Sequence, residues 1–149
     1  MSEALVTLLQ ALPGATVLEA RADGLWMDAP GLDVTALAVL MLHEETRLST
    51  MTGIALDGDE TQIIYHYAQG GQAWHFRVNT RQNSLPSITP VTAAAGWIER
   101  EIADQYAVTF AGHPDPRPLV RPTQLAPGYF REPGGAAGKA LYNQHRSEK

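Results

Sequence analysis

Glu99, Glu101 and Asp104 place three carboxylates in one short window, and His113, a little further along, adds an imidazole. General acid/base catalysis would require two such groups to converge on a substrate, in environments that separate their pKa values. Glu101, Asp104 and His113 are the trio that would build a hydrolase. Arg100 stands among the acids, however, and adjacent helical carboxylates with an in-line arginine are more simply a charged docking face or an internal ion-pair network. Arg100 is expected to pair with Asp104, four residues on. His113, held between Gly112 and Pro114, is expected to fix a turn through its ring nitrogens.

Other chemistry is weaker. His66 and His75 face one another across Gly70-Gly71, which raises a metal site, but two histidines without a third ligand fit an ordinary cross-strand pair on a solvent-facing surface better. His43 suits the C-terminal end of a helix, where the dipole favours it. The run Gly134 to Lys139 imitates a phosphate loop, yet Pro133 occupies the place of the first glycine, Ala140 replaces the metal-binding hydroxyl, and no apolar strand precedes it. No Gly-x-Gly-x-x-Gly follows a strand. The chain has no cysteine, so thiolate ligands for zinc or an iron–sulfur cluster are excluded. The expectation is no catalytic residue, no metal and no cofactor.

Helical spacing positions the first set of groups. Val91, Ala95, Ile98, Ile102 and Tyr106 recur along one face of a helix beginning near Val91. Trp97, Glu101, Asp104 and Val108 form a second stripe, and Gly96, Arg100, Ala103 and Ala107 a third. Gly112-His113-Pro114-Asp115-Pro116-Arg117-Pro118 then places prolines at alternate positions, which removes backbone donors and fixes φ, so this stretch is an extended strap. Upstream, Glu3 to Leu12 fits a short amphipathic helix. Thr16 to Ala20 and Leu25 to Asp28 read as a hairpin about Asp23-Gly24. Asp33 caps a helix from Val34 to Glu45 that is apolar enough for burial on two sides. From Arg47 the period becomes two: Leu48 to Leu56, Gln62 to Ala68 and Ala73 to Val78 read as successive antiparallel strands, joined by Asp57-Gly58-Asp59 and Gln69-Gly70-Gly71. Leu85 to Ile88 adds a short edge strand.

The chain of 149 residues has the size of one domain with a tail. No apolar run approaches the ~20 residues of a membrane-spanning helix, and Met1-Ser2-Glu3 lacks the basic start of a secretory signal. Residues 1–110 carry 13 acidic and 5 basic side chains, whereas residues 111–149 carry 3 and 6. An acidic body with a basic tail disfavours nucleic acid and suits an acidic partner or anionic headgroups for the tail. Beyond Val120 the Pro- and Gly-rich segment buries too little to order itself, and is expected to be disordered alone or ordered by wrapping a partner. The expected organisation is an α+β domain over residues 1–110, with a mainly antiparallel sheet of four to six strands and helices on one face. Residues 111–149 form the extended strap and tail.

The string Glu-Arg-Glu-x-x-Asp-x-aromatic-x-apolar-x-Phe-x-Gly-His-Pro-Asp-x-Arg-x-Leu, from Glu99 to Leu119, resembles the signature of the 30 kDa (C) subunit of respiratory NADH dehydrogenase. The related small subunit of membrane-bound [NiFe] hydrogenases carries it too. Leu85 to Thr89 and Ala93 to Trp97 resemble the family's approach to the helix. Gln105-Tyr106-Ala107 and Gly128-Tyr129-Phe130-Arg131-Glu132 depart from the common pattern, and Pro116-Arg117-Pro118-Leu119 leans toward the hydrogenase side. The resemblance implies a non-catalytic, cofactor-free subunit of a complex I-like oxidoreductase, scaffolding the large hydrogenase-like or quinone-site subunit beside iron–sulfur subunits. It implies a place on the inner, cytoplasmic face of the membrane, reached through the complex alone. On that likeness Trp97, Glu99, Arg100, Glu101, Asp104, Gly112, His113, Pro114, Asp115 and Arg117 hold the helix-to-strap junction and the interface. The rival readings are the stand-alone hydrolase and a generic protein-interaction adaptor.

Overall fold

The computed structural model describes residues 3–122 and 124–131. Its centre is the three-stranded meander that the period-two pattern predicts: β3 (Arg47–Ala55), β4 (Thr61–Gln69) and β5 (Gln72–Asn79), paired antiparallel in sequence. Gly70 and Gly71 both take positive φ, 54° and 80°, which a two-residue hairpin turn of this hand requires. β1 (Glu19–Arg21) and β2 (Gly24–Asp28) form the expected hairpin, with β1 shorter than its sequence suggests. β2 then joins β5 in parallel, so the five strands run β1-β2-β5-β4-β3. A second, two-stranded parallel sheet pairs β6 (Ser84–Pro86) with β7 (Thr109–Ala111).

Alternation sends Ile63, Tyr65 and Tyr67 of β4 and Trp74, Phe76 and Val78 of β5 into one core. Onto it pack α1 (Glu3–Gln10) through Leu5 and Leu9, α2 (Val34–His43) through Leu37 and Met41, and α3 (Ala95–Tyr106) through Ile102. Each such side chain contributes roughly 1.5–3 kcal/mol by leaving water. Asp33 caps α2 as expected, accepting from the Ala36 N–H at 3.0 Å. Burial of α2 on two sides does not occur: Val39 and Leu42 remain 53% and 59% exposed.

Two boundaries differ for identifiable reasons. α3 starts at Ala95, because Ile88 to Ala95 closes a series of overlapping turns, with the N–H groups of Val91 and Thr92 both reaching the Ile88 carbonyl. The chain beyond Val120 turns back to the end of α3 before Arg131. Gly128 N–H donates to the Asp104 carbonyl at 2.7 Å and Phe130 N–H to that of Gln105 at 2.9 Å, so the segment lies along the end of α3. The glycine-rich run at residues 134–139 lies outside the described residues.

Candidate functional site

The junction between α3 and the strap is built around two buried carboxylates. Glu99, fully buried, points back toward the turn before its own helix. Its Oε1 accepts from the Ser87 hydroxyl at 2.6 Å and from the Thr89 hydroxyl, and its Oε2 accepts from the Ile88 N–H at 3.0 Å. A carboxylate can sit in this interior only because donors surround it. The Ser-Ile-Thr cradle that does so lies outside the predicted site residues, although hydroxyls flanking an apolar residue just upstream of the helix were its available signal.

His113 locks the strap to the first turn of α3. Its Nε2–H donates to the Gly96 carbonyl at 3.0 Å, while its Nδ1 accepts the Asp115 N–H at 2.9 Å. These partners require the neutral Nε2–H tautomer, since a carbonyl only accepts and an N–H only donates. The Glu99 carboxylate stands 3.8 Å from the same Nε2. Gly112, at φ 82°, turns the chain into this arrangement with a conformation that costs a side-chain-bearing residue more.

Asp104 does the same for the strap's far end. Its Oδ2 accepts three successive backbone N–H groups, from Leu119 and Val120 at 2.9 Å and from Arg121 at 3.2 Å. Arg121 Nε approaches Oδ1 to 3.5 Å, an ion pair that lacks hydrogen-bond geometry. The expected Arg100–Asp104 pair is therefore absent among the described residues. Arg100 instead reaches along the strap, donating to the carbonyls of Arg117 at 2.8 Å and Pro118 at 3.2 Å and pairing with Asp115 at 3.4 Å. Backbone groups that prolines leave without sheet partners outcompete the local i, i+4 contact.

Asp115 is clasped by Arg117, whose Nε and Nη2 donate to its two oxygens at 2.7 and 2.9 Å. That bidentate bond, with Arg100 nearby, holds the Asp115 carboxyl well below the usual carboxylate range and raises Arg117. Glu101 lies exposed and receives the Gln105 amide at 3.0 Å. Trp97 is 72% exposed, and Pro114 is exposed beside the turn.

The hydrolase trio does not assemble. His113 is spent on the Gly96 carbonyl and Asp115 N–H, Asp104 on the strap amides, and Glu101 on Gln105. A recess of about 180 Å³ does open beside the junction, but Glu99, Arg100, Ala103, Val108, Phe110 and His113 line it, without Glu101 or Asp104. Among the described residues no three His, Cys, Asp or Glu side chains form a group able to hold a metal ion.

Sequence reasoning also missed Arg131. Its Nη1 donates to Thr61 Oγ1 at 2.9 Å and the Tyr106 carbonyl at 3.1 Å, and its Nη2 to the carbonyls of Glu60 at 2.8 Å and Gly58 at 3.2 Å. Asn83, in the left-handed region at φ 51°, ties the same corner by donating to the Tyr106 and Ala107 carbonyls, both at 3.0 Å. A lone arginine in a Gly- and Pro-rich tail offers no periodic signal that would single it out.

Residues 31–132 match the protein family described as respiratory-chain NADH dehydrogenase, 30 Kd subunit. The C subunit of NADH-quinone oxidoreductase from Ruegeria pomeroyi is 34% identical over 100 residues, covering 62% of this chain and 50% of that protein. Its counterpart from Sinorhizobium medicae is 40% identical over 65 residues, covering 42% and 32%. The chain thus spans about half the length, or less, of the curated relatives it matches. Among solved structures, the trypsin-resistant fragment of Nqo5 shares the fold with a TM-score of 0.56 and 22% identity, over 76% of this chain and 97% of that one. A chain of the membrane-bound sulfane sulfur reductase, an archaeal respiratory membrane complex, does so with a TM-score of 0.66 and 18% identity, over 96% and 90%.

Proposed function

The chain belongs to the 30 kDa subunit family of respiratory-chain NADH dehydrogenase, and from that premise we propose that it is a cofactor-free peripheral subunit of a complex I-like oxidoreductase. Its work is to hold the large hydrogenase-like or quinone-site subunit in place beside the iron–sulfur subunits. The observation that carries this reading is how the motif's polar groups are used. Asp104, Asp115, His113 and Arg100 are consumed in fixing a strap on a helix, and Glu99 in fixing the turn before that helix, which leaves the exposed Trp97 and Glu101 at its edge. Such a site has a rigid outline and no pair of reactive groups aimed at a common point. Preorganised contour lowers the ordering cost of permanent assembly, and exposed tryptophan is a favoured anchor.

Association with the membrane follows through the complex, on its inner face. Among the described residues no helix is long and apolar enough to cross a bilayer. Purification of the chain from its native membranes in mild detergent, followed by mass spectrometry, tests the proposal. The expected result is a stoichiometric large hydrogenase-like subunit with iron–sulfur companions. Nickel in that assembly selects the hydrogenase branch, and NADH:quinone activity without nickel selects the other. Recovery of the chain alone, or turnover by the isolated chain, overturns the reading.

A further inference from the structure

The face of the sheet opposite the three described helices carries a chain of hydrogen bonds that crosses three strands and ends in a turn. Thr52 Oγ1 on β3 lies 2.8 Å from His66 Nε2 on β4. His66 Nδ1 lies 2.6 Å from His75 Nδ1 on β5, in direct register, and His75 Nε2 lies 3.0 Å from the Asp23 carbonyl between β1 and β2.

The partners dictate where every hydrogen sits. A carbonyl only accepts, so His75 carries its hydrogen on Nε2 and, when neutral, offers a lone pair at Nδ1. His66 must then donate from Nδ1, which leaves its Nε2 to accept the Thr52 hydroxyl. The chain is satisfied in one direction only, with His66 in the Nδ1–H form and His75 in the Nε2–H form.

We propose that His66 and His75 are one proton-binding site, which holds a single proton with its hydrogen-bond chain intact and is unlatched by a second. The first proton forms an N–H bond with the lone pair of His66 Nε2. The exposed Thr52 hydroxyl rotates, so its oxygen accepts and its own hydrogen turns to water. The Nδ1–H···Nδ1 bond survives. The second proton can go only to Nδ1 of His75, where it would confront the hydrogen of His66, so the rings must part.

The surroundings reinforce the limit. Burial and the neighbouring His75 hold His66 below the ordinary histidine value, and Asp23 offsets this in part. Trp26 lies on His75 at 4.4 Å between ring centres, and the guanidinium groups of Arg77 and Arg21 stand 4.7 and 5.0 Å from the same indole. The guanidinium charges have carboxylates beside them, so the limit on a second proton rests on the shared contact between the two Nδ1 atoms. Asp23 is occupied by the Trp26 N–H at 2.7 Å and Glu19 by Arg21 at 3.4 Å, while Asp28 sits beside Arg77 in register. The charge on this face of the sheet is therefore set in two steps, and the second step moves Trp26.

Nitrogen-15 NMR of the histidine rings of the full chain, titrated from about pH 8 to about pH 4, tests this. The expected result is the Nδ1–H tautomer for His66, Nε2–H for His75, and two macroscopic steps more than about one pH unit apart. Only the lower step should shift the Trp26 indole N–H resonance. His75→Gln should collapse the titration of His66 to one step and abolish the late Trp26 shift. Should that variant not fold, His66→Gln must do the same for His75. Both rings in the Nε2–H form, or two independent titrations that neither variant changes, would overturn the proposal.

Discussion

The ring of Tyr106 occupies the space a methyl group on Gly53 would take: a Cβ there would stand 2.8 Å from Cε2 and 2.9 Å from Cδ2. The last turn of α3 thereby lies directly on β3, and Tyr106 in turn meets Phe130 edge-on with ring centres 6.2 Å apart. Gly53→Ala should gain the usual strand benefit of losing a glycine, up to about 1 kcal/mol. It should lose more by overpacking, roughly 1–3 kcal/mol. Urea denaturation should therefore show a net loss, and a Gly53→Ala variant more stable than the parent would mean that Tyr106 moves freely.

Asp104→Asn tests the far anchor of the strap. The buried carboxylate serves three N–H groups and Arg121, and its replacement leaves Arg121 without a counter-charge. We expect a loss of about 2–4 kcal/mol in denaturant unfolding. Amide hydrogen exchange at Leu119, Val120 and Arg121 should also quicken, because their N–H groups exchange a charged acceptor for a neutral one. Unchanged exchange there would mean that the strap is held elsewhere.

Asp115 gives a pH signature. Its carboxyl is depressed by the bidentate Arg117, then by Arg100, so the clasp's contribution is fully present above the ordinary aspartate value of 3.8 and is lost as pH falls through the lower folded-state value. Carbon-13 NMR of the Asp115 carboxyl should show ionisation persisting well below pH 3.8. Arg117→Gln should move its midpoint upward toward that value. A midpoint indifferent to Arg117 would assign the depression to another group.

Arg131→Ala removes donors from four acceptors at the β3–β4 turn and the end of α3. The isolated chain should lose about 1–3 kcal/mol of stability. Amide exchange at Gly128 and Phe130 should quicken far more than exchange in β4. Equal acceleration throughout would show that Arg131 supports the whole domain and not this corner.

Trp97→Ala separates assembly from folding. With 72% of its surface exposed, the indole adds little to the isolated chain, and thermal melting should change by no more than about 0.5 kcal/mol equivalent. Retention in the purified complex should fall by about 2 kcal/mol or more if the indole is an interface anchor. A complex with wild-type affinity would place the anchor elsewhere.

Much of the fold was legible because its signals are local. The β4–β5 hairpin announced itself through Ile63-x-Tyr65-x-Tyr67, Trp74-x-Phe76-x-Val78 and the intervening Gly70-Gly71, and α2 through Asp33. What local patterns could not supply were contacts between distant segments: the parallel pairing of β2 with β5, the β6–β7 pair, and the return of residues 128–131 to α3. The site shows the same division. The stretch from Glu99 to Arg117 stands out as a string, but helical spacing assigned Arg100 to Asp104. The prolines of the strap had left carbonyl and amide groups that each of the two charges serves separately. Glu99 read as part of a charged docking face or an internal ion-pair network, because nothing in periodicity reveals a cradle of hydroxyls six to eight residues before the start of the helix.

The position of β2 at the side of β5 also bears on how the chain acquires its shape. The meander from β3 to β5 closes through short turns, whereas Leu25 meets Trp74 only after the whole intervening chain has been arranged. Closing so long a loop costs entropy before any contact rewards it, so the meander should nucleate and the N-terminal hairpin should add late. Shaving Met27, buried on β2, to alanine should then hasten unfolding while leaving the refolding limb of a chevron nearly untouched.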